Sequence, residues 1–155
     1  MPLEPGDQAP DIDLPDQSGS TFSLRAARRS NPARHLVYFY PKADTPGCTK
    51  QACGLRDVSD QIGDTVIVGI SPDAPDRQAR FDQKYSLGFP LLSDADHAVA
   101  EAYGVWGERS LYGRKYMGII RSAFLISPGG LIEQAWYKIS PADTPKKLLA
   151  ASRSA

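Results

Sequence analysis

Two short runs of β-branched and aromatic residues, Leu36-Val37-Tyr38-Phe39-Tyr40 and Thr65-Val66-Ile67-Val68-Gly69-Ile70, flank a segment in which apolar and small residues recur with a helical period at Ala52, Leu55, Val58 and Ile62. Nearly continuous apolar runs of this length are how strands covered on both faces read, which places them centrally in a sheet. A strand, a helix over Thr49 to Ile62 and a second strand form a crossover, and crossovers join parallel strands with a right-handed connection. The chain is thereby held to the α/β class.

The alternation continues. Asp76 to Tyr85 reads as a helix, Pro90-Leu91-Leu92-Ser93 as a short strand and Ala98 to Tyr103 as a helix stopped by Gly104. Ala123-Phe124-Leu125-Ile126, the turn Ser127-Pro128-Gly129-Gly130 and Leu131 to Tyr137 predict an antiparallel hairpin. Pro145 to Ser152 predicts a terminal helix, with Pro145 suited to its first turn. Near the start, Ile12-Asp13-Leu14 and Thr21-Phe22-Ser23-Leu24 around Asp16-Gln17-Ser18-Gly19 form a small separate hairpin, and the basic stretch Arg25 to Arg34 reads as a solvated loop. This order is that of an α/β thioredoxin-like fold with an N-terminal β-hairpin and an inserted helix. At 155 residues there is room for one hydrophobic core, so residues 1–155 are expected to form a single domain.

Lys+Arg and Asp+Glu both number 18, so no net field draws the chain to nucleic acid. No apolar stretch approaches a membrane span, and Met1-Pro2-Leu3-Glu4-Pro5 has neither the basic region nor the apolar core of a signal peptide. A soluble cytoplasmic protein without membrane or nucleic-acid partners is expected. Two cysteines, Cys48 and Cys53, cannot form a disulfide scaffold, and in reducing cytosol such a pair is catalytic or binds metal. A structural zinc needs about four ligands, and the two histidines, His35 and His97, stand far from both cysteines and form no ligand pair with them.

Both cysteines fall in Pro41-Lys42-Ala43-Asp44-Thr45-Pro46-Gly47-Cys48-Thr49-Lys50-Gln51-Ala52-Cys53, directly after the strand that ends at Tyr40. A buried strand that ends in a Pro/Gly turn and delivers a cysteine to a helix start is a device for a reactive thiolate, because unpaired amides and the helix dipole favour the charged sulfur. The run from Tyr38 through the Pro-x-x-x-Thr-x-x-Cys pattern to Cys53 resembles the active site of peroxiredoxins, and within them the bacterioferritin comigratory protein or Q-type subgroup. The likeness extends from Pro5-Gly6-Asp7-Gln8-Ala9-Pro10 through Val68-Gly69-Ile70-Ser71-Pro72-Asp73 and Phe89-Pro90-Leu91-Leu92-Ser93-Asp94 to Gly118-Ile119-Ile120-Arg121-Ser122.

The resemblance implies a thiol-dependent peroxidase that reduces hydrogen peroxide and organic hydroperoxides without metal, haem or flavin. On matching positions it makes Cys48 the peroxidatic cysteine and Cys53 the resolving one, which closes an intramolecular disulfide recycled by thioredoxin or a similar dithiol protein. Thr45 would hold a peroxide oxygen, Pro41 would shield the thiolate, and Arg121 would stabilise the thiolate and the leaving oxygen. The bland alternatives are a buried inert cysteine for Cys48, a core-facing helix residue for Cys53, a capping hydroxyl for Thr45, a strand terminator for Pro41 and a surface cation for Arg121. In an intact helix the Cys48-x-x-x-x-Cys53 spacing holds the two Cα atoms roughly 8 to 9 Å apart on diverging faces, so a disulfide requires local unfolding.

Ala123 stands where the family usually has threonine, leaving one hydroxyl fewer near Arg121. Trp106, Trp136 and Tyr112 read as packing residues, with Trp106 also placed to line the pocket rim. A monomer is expected, since no C-terminal arm is seen that would cross a dimer. Two other classes compete with the peroxidase: a thiol-disulfide oxidoreductase, which usually carries Cys-x-x-Cys, and a non-enzymatic redox switch.

Overall fold

The computed structural model describes residues 2–153. At its centre is β3 (His35–Phe39), buried along its whole length. It pairs parallel with β4 (Val66–Ser71) and antiparallel with β8 (Ser122–Ile126). β5 (Leu91–Ser93) extends the parallel side and β9 (Ile132–Trp136) the antiparallel side, giving the order β5-β4-β3-β8-β9. Side chains alternate across the sheet. Leu36, Tyr38 and Tyr40 enter one cluster with Ala52, Leu55, Phe81 and Leu148, supplied by α2 (Pro46–Val58), α3 (Pro75–Tyr85) and α5 (Asp143–Arg153). Val37 and Phe39 enter the other with Ile12, Leu24, Ala100, Tyr103 and Phe124, in part from α4 (Ala98–Ala102). Both faces are covered, which is why these strands read as unbroken apolar runs.

The N-terminal hairpin is present as β1 (Asp13–Pro15) and β2 (Thr21–Ser23). The expected loop after it is instead largely helical: α1 spans Leu24–Ser30, with Ser23 Oγ accepting from the Ala26 amide as N-cap. Alanine and arginine are strong helix formers, and a capped start outweighs the cost of clustered positive charge; only 31–34 stays irregular. A third hairpin, between α4 and β8, had no counterpart in the sequence reading. β6 (Trp106–Leu111) and β7 (Arg114–Ile119) pair antiparallel through a turn in which Tyr112 and Gly113 have φ of 51° and 77°. Two consecutive positive φ values mark the tight turn that matches strand twist. Tyr112 at that tip is 96% exposed, so it is no packing residue. Trp106 stacks on His97 at 3.8 Å between ring centroids and packs against the second cluster, whereas Trp136 packs against the first.

The helix expected over Thr49 to Ile62 begins earlier, at Pro46, and ends at Val58 before a 3-10 turn over Ser59–Gln61. Register then fixes the site: Phe39 faces Ser122, so Arg121 lies at the end of β3 from which the Pro41 turn departs. Among the described residues, no helix is long and apolar enough to cross a membrane.

Candidate active site

After β3 the chain turns through Pro41 to Thr45, with Asp44 at φ 61°, and enters α2 at Pro46. Proline at a first helical position has no amide hydrogen to lose and carries the φ a helix start requires. Cys48 consequently stands in the first turn. The amides there have no carbonyl one turn earlier, and the helix dipole presents its positive end. Cys48 is 1% exposed and forms part of the first cluster.

Arg121 reaches this sulfur from β8's side of the sheet. Its Nη2 donates to Cys48 Sγ at 3.4 Å and its Nη1 to Gln51 Oε1 at 2.7 Å. Residues three apart on a helix are surface neighbours, so Cys48 and Gln51 present adjacent acceptors to one planar guanidinium. Gln51 is itself buried; its Nε2 donates to Thr144 Oγ1 at 2.9 Å, and the Thr144 hydroxyl donates to the Ser140 carbonyl at 2.9 Å. The arginine is thereby braced through α2 to the start of α5. Gly47 gives this approach room: a Cβ there would sit 3.2 Å from Arg121 Nη2, a tight contact the guanidinium would have to yield to, and 3.5 Å from Pro141 Cγ.

Thr45 is the N-cap of α2, yet its side chain makes no capping bond. Its hydroxyl donates to the Lys42 carbonyl at 2.8 Å, while its own carbonyl accepts from the Thr49 amide at 2.8 Å. With its hydrogen committed to Lys42, the Thr45 oxygen is left as an acceptor. Pro41 is half-buried at the head of the turn. Tyr38 and Tyr40 stack at 5.4 Å in the same cluster as Cys48, and burial pushes both phenols above their ordinary range. They stay neutral and add no negative charge beside the thiol.

Cys53 lies one and a half turns along α2, half-buried against the first cluster, and both cysteines are free thiols. The structure thus brings Cys48, Arg121 and the Pro41–Thr45 turn to one end of the sheet and holds Cys53 on the same helix. It adds Gln51 and Thr144, to which the sequence reading assigned no role. The one signal for Gln51 was its place three residues after the cysteine.

Residues 5–135 match the AhpC/TSA family. Among curated relatives, peroxiredoxin Bcp of Escherichia coli is 50% identical over 137 residues, spanning 87% of this chain and 86% of the relative. The putative peroxiredoxin bcp of Haemophilus influenzae is 47% identical over 155 residues, spanning 99% and 98%. Among solved structures, peroxidoxin BcpB from Mycobacterium tuberculosis superposes with a TM-score of 0.85 at 34% identity, over 98% of this chain and 97% of that one. The bacterioferritin comigratory protein of Xanthomonas campestris, described for its alkyl peroxide reduction activity, superposes with a TM-score of 0.84 at 34% identity, over 92% and 90%.

Proposed function

Because this chain belongs to the AhpC/TSA family and is a thiol-dependent peroxidase, we propose that Cys48 carries the reaction, Cys53 completes it, and Thr45, Arg121 and Pro41 shape the peroxide pocket. The observation that carries this reading is the Arg121 Nη2 contact to Cys48 Sγ at 3.4 Å in the first turn of α2.

In the reaction, the Cys48 thiolate attacks the terminal oxygen of a hydroperoxide. The sulfur electron pair forms the S–O bond, the O–O bond breaks, and the other oxygen leaves with the bonding pair and is protonated to alcohol or water. Arg121 faces the charge on sulfur before attack and the charge developing on the leaving oxygen afterwards. Thr45 Oγ1 accepts from the peroxide hydroxyl, and Pro41 keeps water from the sulfur. The Cys53 thiolate then attacks the Cys48 sulfenic sulfur, forming the disulfide and expelling hydroxide, which leaves as water. A dithiol protein of the thioredoxin kind reduces that bond through a mixed disulfide, is itself oxidised, and returns both thiols. Residues 1–155 act as one domain, as a monomer in the cytoplasm.

The test is peroxide consumption by the purified chain with thioredoxin, thioredoxin reductase and NADPH, beside parallel assays with glutaredoxin or glutathione and an insulin-reduction assay. The expected result is peroxide-dependent NADPH oxidation with thioredoxin that is lost in Cys48→Ser, and elution as a monomer in gel filtration. Insulin reduction without peroxide consumption would overturn it in favour of a thiol-disulfide oxidoreductase, and activity in neither assay in favour of a redox switch.

A further inference from the structure

We propose that Asp73, in the connection from β4 to α3, is a positioning residue that sets the Pro41–Thr45 turn for peroxide attack. This rests on the reading of Cys48 as the peroxide-reactive thiol. Asp73 Oδ2 accepts from the Ala43 amide at 2.7 Å and from Ser71 Oγ at 2.7 Å. Its Oδ1 accepts from Arg77 Nε at 3.2 Å, and Arg77 Nη2 reaches the Ala43 carbonyl at 3.4 Å. Both peptide groups of Ala43 are therefore gripped by one ion pair. Ala43 is 2% exposed, so its amide would be an orphaned buried donor without the carboxylate.

The grip extends to both ends of the turn. Ser71 accepts from Gln78 Nε2 at 2.9 Å, and Gln78 Oε1 accepts from the hydroxyl of Tyr40, the residue before Pro41. At the other end the Asp44 carboxylate accepts from Lys84 Nζ at 3.0 Å and from the Tyr85 hydroxyl at 3.0 Å. Tyr40, Gln78 and Ser71 are fully buried, so that arm of the network is sealed from solvent, whereas Arg77 and the Asp44–Lys84 pair close it at the surface. The turn that presents Thr45 is thus held from β4 and α3, whereas Cys48 and Arg121 are held by α2, β8 and α5. No hydrogen bond links Asp73 to Cys48 or to Arg121 among the described residues.

That division predicts a separation of two reactivities. Iodoacetamide samples only the thiolate of Cys48, whereas peroxide also needs Thr45 in place. Both rate constants are measured at Cys48 in a Cys53→Ser background, with thermal unfolding followed on each variant. Asp73→Asn weakens the acceptor and removes the charge that orients Arg77; it should lower the peroxide rate constant by about 10-fold while alkylation stays within about 2-fold. Arg77→Met, at a side chain 44% exposed, leaves the core alone and should lower the peroxide rate about 3-fold with alkylation unchanged. If Asp73→Asn does not fold, Arg77→Met decides. Unchanged peroxide rates, or peroxide and alkylation rates falling in equal proportion, would overturn the assignment. Peroxide consumption by Cys48→Ser would instead remove the reading on which it rests, an outcome visible separately from the Asp73 comparison.

Discussion

Oxidation of the reduced chain by an equimolar amount of peroxide should unwind the start of α2. Cys48 and Cys53 lie on one continuous helix, and five residues of helix rise about 7.5 Å and turn about 140°, which sets their Cα atoms roughly 8.7 Å apart. A disulfide needs Cα atoms within about 7 Å and converging Cβ vectors. The bridge therefore forfeits the Arg121–Gln51 and Gln51–Thr144 bonds together with about five backbone bonds of one and a half helical turns, roughly 7 kcal/mol at about 1 kcal/mol net per bond. In the reduced protein that cost protects the amides of Thr49 to Leu55 against exchange; once the disulfide holds the segment open, their exchange should quicken by up to about five orders of magnitude. Hydrogen exchange read by mass spectrometry on both forms measures this, with the buried strand β3 as the internal control. Retention of full protection in a protein whose Cys48–Cys53 peptide linkage has been verified by mass would refute the geometry.

Arg121→Ala removes the cation that touches Cys48 Sγ, so alkylation at neutral pH should slow and peroxide oxidation should fall by about 100-fold; wild-type alkylation would exclude the arginine from thiolate stabilisation. Thr45→Val should lower peroxide oxidation by about 10-fold or more with alkylation unchanged, and Thr45→Ser should restore it; equal rates in Thr45→Val would show that the hydroxyl accepts nothing from peroxide. His35 is buried at the start of β3, and burial holds its pKa below the ordinary 6.5, helped by the Arg28 charge and opposed by the Ala33 carbonyl. The unfolded chain then binds this proton more readily than the folded one. Its contribution to stability is whole above pH 6.5 and is lost as pH falls below that toward the folded value. The melting temperature should drop between about pH 7.5 and 5.5 more steeply in the wild type than in His35→Gln, and a steeper drop in the variant would reverse the sign.

Much of this fold was legible because its strands are buried on both faces. Leu36 to Tyr40 carries no polar interruption, and the position of Cys48 after Pro46-Gly47 announced a helix start. Arg121 was found through the family pattern, and only the β3–β8 register explains how it reaches the sulfur from so far along the chain. What escaped notice depends on partners distant in sequence. Gln51 and Asp73 are polar residues on or beside helices, the ordinary composition of a solvated face, and nothing local reveals that Thr144 or the Ala43 amide is waiting for them. In α1, clustered arginines hid a helix behind a solvated-loop composition, although Ser23 and the Ala26-Ala27 pair carried the capping and propensity signal. β6 and β7 escaped because an exposed hairpin buries too little to alternate cleanly, and Tyr112-Gly113 is a weaker turn signal than Asn-Gly.

The division of labour between the cysteines is tested most directly by oxidising Cys53→Ser with an equimolar amount of peroxide in the presence of dimedone and locating the adduct by peptide mass. The adduct should form stoichiometrically on the peptide that carries Cys48, a single turnover should be complete, and Cys48→Ser should consume no peroxide. An adduct elsewhere, or peroxide consumption that persists in Cys48→Ser, would contradict the assignment of Cys48 as the nucleophile.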